Sequence, residues 1–418
     1  MKHLWLCALF LSGCGDDASV VPIDLGVRDG DAADATDAAN DERAPEASTP
    51  PAETGIGDAG FIQCGLNPSG PITLADDLGS VARAVALASA SEGALAVWAG
   101  ETRGLPNLLG TWIPASGEAG RRIAITEDGF VQRTPTVARA AEGYLATWVG
   151  NESGTLDLRA AALTIDGEPA AERLELDPTP EEEQAPFLLF EGNDGWILWT
   201  DAGGTGAWLR SVDSTGVVTG SAINLAPPDQ SPRFITAAVT RNGRTLVAWQ
   251  NGSQVWARLL DDGTPAGSAF RVDVEGGATG RPAIATGVFG SAIAYDVRVD
   301  GVRPEFRVRL FDGEDELLAP IPAPLPAGEE ATGAAIAPLA EGFAAIYRAS
   351  EDSQAAMIRL VTLNAQGDAV QRFDIASTEP VGGASTIVAT PEGALVFAWS
   401  ERTDAGARLL ASSVQCSR

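Results

Sequence analysis

Residues 233–272 read RFITAAVTRNGRTLVAWQNGSQVWARLLDDGTPAGSAFRV, and the punctuation of this stretch decides the fold. Arg233–Thr240 is an apolar run of strand character, and Asn242-Gly243 behind it is a strong hairpin signal. Thr245–Trp249 makes a second strand and Val255–Leu260 a third. Asp261-Asp262-Gly263 turns the chain into a fourth strand, Ala269–Val272. Four short strands joined by tight turns within 40 residues describe one antiparallel sheet.

Outward from this unit the outline recurs. Gly143–Trp148, Leu158–Ile165, the Asp166-Gly167 turn and Arg173–Leu176 repeat it, as do Gly93–Trp98 and Gly393–Trp399. The second strand ends in an aromatic residue seven times, at Trp98, Trp148, Trp199, Trp249, Tyr295, Tyr347 and Trp399. The intervals are 50, 51, 50, 46, 52 and 52 residues. A period of about 50 residues with several strands per period is the signature of propeller blades. The expected fold is therefore all-β: a seven-bladed β-propeller with four-stranded blades, spanning residues 60–418 and leaving no room for a second domain. Small residues in Ala84–Ala90 and Ala283–Thr286 suit innermost strands, which crowd around an axis.

The amino-terminal residues have a different character. Met1–Phe10 places Lys2 before an apolar run, and Leu11-Ser12-Gly13-Cys14 follows. This is the plan of a secretory signal, too short to span a bilayer. Leu-Ser-Gly-Cys resembles the lipobox of bacterial lipoproteins. That resemblance implies removal of residues 1–13 and lipidation of Cys14, with palmitate among the attached chains. Gly15, in place of an Asp, leans toward outer-membrane delivery. Between residues 15 and 59, twelve acids face only Arg28 and Arg43, a net charge of −10. Such a segment cannot bury enough apolar area to offset its ordering entropy. Residues 14–59 are thus expected to be a disordered acidic tether.

The ring also has to close. Blade seven begins near Ser385 and supplies three strands before the chain ends at Arg418, whereas Pro71–Asp76 is a strand with no upstream partners. Placing that amino-terminal strand at the edge of blade seven completes the sheet. Cys416 lies eight residues after Arg408, and Cys64 lies ten before Leu74. The same offsets in blade two lead from Arg159 and from Leu176 to the Asp166-Gly167 turn. Both cysteines therefore map to one turn of the composite blade, and a Cys64–Cys416 disulfide is expected. With Cys7 removed and Cys14 lipidated, no cysteine is left over in an oxidising compartment.

Missing residue types bound the chemistry. His3 and Lys2 are the only histidine and the only lysine. A mature chain without them has no Ser-His-Asp triad, no histidine-liganded zinc and no Schiff-base lysine. No Gly-rich nucleotide fingerprint is present. No catalytic, cofactor-binding or metal-ligating residue is assigned, and no cofactor is expected. The class that survives is glycoside cleavage by paired carboxylates. Its candidates are Glu181, Glu182, Glu183, Asp194, Asp201, Asp229, Glu329 and Glu330. Ser211–Gly216 departs from the Asp-box of sialidases in glycine spacing and in lacking the tryptophan. The balance leans away from an enzyme.

Six third strands carry an arginine at a common place: Arg159, Arg210, Arg258, Arg309, Arg359 and Arg408. Repetition in most blades favours a structural role over a ligand site, and the repeated tryptophans are expected to wedge between blades. Trp112, Trp196, Trp208 and Trp256 break the repeat and are the better candidates for exposed contacts. The folded part keeps a charge of −20, which makes nucleic acid and anionic headgroups poor partners and favours cationic surfaces, neutral sugars or divalent ions.

Taken whole, the chain resembles exported bacterial lipoproteins, of the kind common in myxobacteria, that carry kelch-like or related propeller repeats. The resemblance implies a monomeric propeller, lipid-anchored at the outer membrane on its periplasmic or outer face. Such a protein would recognise a glycan or an envelope protein through its loops, at Asn151–Leu156, Gly203–Ala207 and Asp300–Glu305. A glycoside-cleaving enzyme and a structural component of an outer-membrane assembly are the competing readings.

Overall fold

The computed structural model divides into Met1–Gly57 and Asp58–Arg418. It describes residues 63–417 except 67–69, 77–83, 103–104, 117, 153, 177–181, 274–276, 279, 299–303, 313–316, 323–328, 352–355, 376–384 and 404–405. Cys14 and the tether lie outside the described residues.

Seven antiparallel sheets follow one another along the chain. Blade one is Val85–Ala90, Gly93–Thr102, Leu105–Pro114 and Arg122–Ala124. Blade two is Gln132–Arg139, Tyr144–Gly150, Asp157–Leu163 and Leu174–Glu175. Blade three is Glu183–Glu191, Asp194–Asp201, Ala207–Asp213 and Val218–Asn224. The seven-bladed ring is as the aromatic period requires, with most blades four-stranded.

Blade four shows how sequence and sheet differ in detail. Its outer edge is split: Thr264–Pro265 and Phe270–Arg271 both pair with Gln254–Asp261. Between them, Arg258 takes the carbonyl of Gly267 at 2.8 Å, so side-chain capture replaces part of the backbone ladder.

Closure runs through blade seven, where Thr386–Ala389, Ala394–Thr403 and Gly406–Ser417 come from the end of the chain. Two amino-terminal segments complete it. Gln63–Leu66 and Ile72–Ala75 both pair with Gly406–Ser417, in registers that set Cys64 against Cys416 and Ile72 against Ala411. A disulfide joins Cys64 to Cys416. Leu74 and Ala75 are buried in the same cluster as Ala94, Ala96 and Trp98, so the closing strand also packs blade seven onto blade one. Arg122 of blade one donates to the Leu74 carbonyl at 3.0 Å.

Core packing lies between blades. Leu246, Ala248 and Ala257 of blade four meet Ile293, Tyr295 and Val297 of blade five, and equivalent layers recur around the ring. The repeated aromatics fill these layers: Trp98, Trp148, Trp249 and Trp399 are fully buried, with Trp199, Tyr295 and Tyr347 nearly so. Trp249 donates from Nε1 to Gln230 and Trp399 to Glu401, whereas the buried Nε1 of Trp98 and of Trp148 has no partner among the described residues.

Two third-strand arginines tie neighbouring sheets together, and three pair within their own blade. Arg258 donates to the carbonyl of Leu225 at the exit of blade three, and Arg210 to that of Leu176 at the exit of blade two. Arg159, Arg359 and Arg408 pair with Glu175, Asp374 and Glu401. Arg309 departs from the pattern, because its cross-strand neighbour is Pro320, which offers no carboxylate.

Candidate functional site

Antiparallel hairpins sort the connections by face. Turns between first and second strands and between third and fourth strands meet on one face. Hairpins between second and third strands, together with the crossings from one blade to the next, meet on the other. On this second face the innermost strands do not run straight. The register slips by one residue at Arg133/Thr136, Gln184/Phe187, Arg233/Thr236 and Thr332/Ala335. Each slip is a bulge whose first extra residue has positive φ: Thr134 at 45°, Ala185 at 48°, Phe234 at 53° and Gly333 at 68°. A bulge re-aims the side chain it carries, here at the inner edge of each sheet.

Most of those residues are small. Phe234 in blade four is large, and it holds a conformation that disfavours bulky side chains where blade six uses glycine. Arg281 stands just before the first strand of blade five, Ala283–Gly287, and its guanidinium lies 4.6 Å from the Phe234 ring centre. Arg281 is exposed as a residue, while burial of its guanidinium against protein lowers its pKa.

Asp296 sits beside this pair, on the second strand of blade five. It is 4 % exposed and accepts hydrogen bonds from the Gly333 and Ala334 amides of the blade-six bulge, at 2.7 and 3.3 Å. Burial pushes its pKa up to about 6, and the two amides offset only part of that effect. A side-chain carbon at Gly280 would fall 2.3 Å from Asp296 Oδ2, so glycine is required where the chain leads into Arg281. The Ser385 hydroxyl donates to the Gly333 carbonyl, bringing the start of blade seven to the same bulge. Phe234, Arg281, Asp296 and Gly333 thus mark one contiguous arc across blades four to six.

Sequence reasoning did not single out Asp296. Aligned blades contain the signal: the residue after each aromatic is Ala99, Val149, Thr200, Gln250, Asp296, Arg348 and Ser400. Only blades five and six place a charge there.

The other candidates have structural work. Cys64 and Cys416 lie at the outer edge of blade seven, away from this arc. Glu183 and Asp201 are both buried and directly opposite each other across blade three. Asp201 is occupied, accepting from the Thr205 amide, the Thr205 hydroxyl and Trp208 Nε1, which locks the Gly203–Ala207 hairpin. Glu182, Asp194 and Asp229 are exposed, with Asp194 on the opposite face, and Glu330 accepts from Ser350. Glu181, the side chain of Glu329 and residues 300–303 lie outside the described residues. No group of three or more histidine, cysteine or acidic residues among the described residues could hold a metal ion. Trp112, Trp196, Trp208 and Trp256 are each half-buried against blade cores, so packing claims a large part of them.

Neither a family model nor a curated protein matches the chain, so the kelch-like resemblance gains no sequence support. Solved structures do match its shape. The BP39L lectin from Burkholderia pseudomallei is 16 % identical, with 77 % of this chain and 96 % of that one covered at a TM-score of 0.51. The polysaccharide lyase Uly1 is 8 % identical, with 81 % and 89 % covered at 0.50. The Trypanosoma rangeli sialidase, 12 % identical over 82 % of this chain and 59 % of that one at 0.45, is too distant to carry weight. These likenesses establish the fold: a propeller shape that both a lectin and a lyase use. They also correct one expectation. The chain was expected to lean away from catalysis, but the architecture is one on which a polysaccharide lyase works.

Proposed function

We propose that this propeller binds a polysaccharide across the arc formed by blades four to six and cleaves it, with Asp296 as the proton-transferring group. The observation that carries the reading is geometric: the buried Asp296 carboxyl, held by the Gly333 and Ala334 amides, lies against Gly280, next in the chain to the Arg281 that stacks on Phe234. A carboxyl near pH 6 remains partly protonated in mildly acidic surroundings and can protonate a glycosidic oxygen as the bond breaks. Arg281 and Phe234 supply a hydrogen-bonding fork and an apolar face, the pair of surfaces on which a sugar ring is held. Cleavage by two carboxylates needs a second acid. Glu330 is the acid nearest in the chain to the bulge that Asp296 holds, and it is the second residue to vary.

The test is to incubate the full chain with a panel of polysaccharides, measuring binding and the appearance of new chain ends in the same samples. Cleavage that falls at least a hundredfold in Asp296→Asn, with binding retained, is the expected result. Unchanged cleavage in that variant would remove Asp296 from the chemistry. The structural-assembly reading called for a broad apolar patch. Among the described residues, the exposed large apolar side chains, such as Phe130, Ile165, Val217 and Phe289, come from different blades or their connections.

The proposal keeps the amino-terminal reading. Residues 1–13 are the signal, Cys14 carries the lipid, and residues 14–59 tether the propeller to the outer membrane. The support is the Leu-Ser-Gly-Cys motif and the acidic composition behind it. Incorporation of labelled palmitate that disappears in Cys14→Ser, followed by membrane fractionation, tests it.

A further inference from the structure

The arginines of the described residues divide into two populations. Most are consumed by the architecture, as clamps between blades or as partners of local acids. Besides the buried Arg309, six have neither a hydrogen bond nor an ion pair within the described residues: Arg133, Arg233, Arg281, Arg298, Arg348 and Arg402. All six are exposed. Their positions are not scattered. Arg133, Arg233 and Arg281 stand at the start of first strands, and Arg298, Arg348 and Arg402 near the end of second strands. Those strand ends all meet the face that carries Phe234 and Asp296.

Carboxylates occupy both faces, with Glu101, Glu127, Glu182 and Asp229 among those exposed on the face of the arc. Every blade puts at least one into the turns of the other face, from Glu92 in blade one to Glu392 in blade seven. The cations there are engaged: Arg121 with Glu168, Arg244 with Asp261, and Arg241 with the Val288 carbonyl. The net charge of −20 on residues 60–418 is spread over both faces, and what sets the face of the arc apart is that its six exposed arginines are unengaged within the described residues. Arginine is also the only cation in the folded part. Its planar fork takes carboxylate or sulfate oxygens through two parallel bonds, and its weaker hydration makes that exchange cheaper than for lysine.

We infer that the polysaccharide bound on this face is anionic, its sugar carboxylates or sulfate esters meeting the six unpaired arginines. This rests on the polysaccharide reading above and narrows it. It also reverses the expectation, drawn from net charge alone, that neutral sugars or cationic surfaces suit the protein best. Arg281 would take a charged group directly while Phe234 packs under the ring. The arginines farther from this pair would hold successive charges along the chain. A polynucleotide is the less favoured polyanion, because Phe130 is exposed on this face while Phe234, Trp208 and Trp256 are half-buried, which leaves no run of open stacking surfaces for bases.

The experiment titrates the full chain with polygalacturonate, dextran sulfate, unsubstituted dextran and a single-stranded oligonucleotide, at low and high salt. Binding of one or both charged glycans, weakened by salt, with none to dextran, is expected. Polygalacturonate alone would assign the carboxylate, and dextran sulfate alone the sulfate ester. Arg281→Ala and Arg233→Ala should each weaken binding about tenfold. Arg241→Ala, on the opposite face, should leave it unchanged. If Arg281→Ala fails to fold, the exposed charge reversal Arg133→Glu serves the same purpose. Dextran bound as tightly as polygalacturonate would overturn the inference while sparing the polysaccharide reading. Failure of every glycan would remove both. An oligonucleotide bound as tightly as the charged glycans would reduce the face to an unselective cation surface, and would also overturn it.

Discussion

Removing the sulfur bridge is the perturbation whose size follows most directly from the fold. Cys64 and Cys416 are separated by 352 residues, nearly the whole propeller. Cross-linking a loop of that length restricts the unfolded chain by about 6 kcal/mol in the loop-entropy relation, and measured bridges usually deliver less, about 2–5 kcal/mol. Folded propellers without the bridge would still be closed by the Ile72–Ala75 pairing and by burial of Leu74 and Ala75. The loss should therefore appear as lowered stability with the ring intact. An unfolding entropy of about 2 cal/mol/K per residue, over roughly 360 residues, gives about 0.7 kcal/mol per degree. A loss of about 4 kcal/mol thus lowers Tm by about 5–6 °C. The assay is thermal unfolding followed by tryptophan fluorescence, comparing the oxidised protein with the Cys64→Ser/Cys416→Ser double variant. Scan rate is to be varied, since a chain this long can unfold irreversibly. The double variant should retain the native spectrum below its transition. A Tm within about 1 °C of the parent would show that the paired strands alone fix the ring and that the bridge contributes nothing measurable.

Other outcomes follow from the packing and the site. Trp249→Ala empties a fully buried layer between blades and deletes the bond to Gln230, so it should cost about 3–5 kcal/mol in denaturant unfolding. Arg258→Met, which removes the bonds to Gly267 and Leu225 but keeps the stem, should cost about 1–3 kcal/mol, and a neutral result would deny the clamp its role. Asp296 has a folded pKa of about 6 against an ordinary 3.8, so the folded state holds its proton more tightly than the unfolded chain does. Stability from this group is then complete below about pH 4 and fades as pH rises through 6, by up to about 3 kcal/mol. Asp296→Asn should therefore gain on the parent between pH 4 and 7, and parallel stability curves would contradict the assignment. Phe234→Gly should relieve backbone strain and leave Tm equal or higher while weakening glycan binding, separating packing from recognition.

How far the sequence carried the argument depends on the range of each signal. Blade rhythm and ring closure were legible because alternation, Asn-Gly and Asp-Gly turns, and a repeated aromatic are local marks that survive repetition. The disulfide was legible because both cysteines fall at fixed offsets from repeated residues. The bulges left no such trace: Thr134, Ala185, Phe234 and Gly333 share no chemistry, only a backbone conformation. Opposition of Glu183 and Asp201 depends on pairing register, and the idleness of Arg133 or Arg348 depends on what fails to approach them. Asp296 looked like one acid among many until the register placed Gly333 and Ala334 over it.

The recurrent kink in the innermost strands has a consequence for how such a molecule could be re-purposed. One backbone shape accepts threonine, alanine, phenylalanine and glycine in four blades without altering the sheets beyond it. Those positions act as interchangeable sockets around a common rim. Exchanging the occupants of two or three of them would rewrite what the rim greets, at little expense to the frame, and offers a compact starting library for engineered specificity.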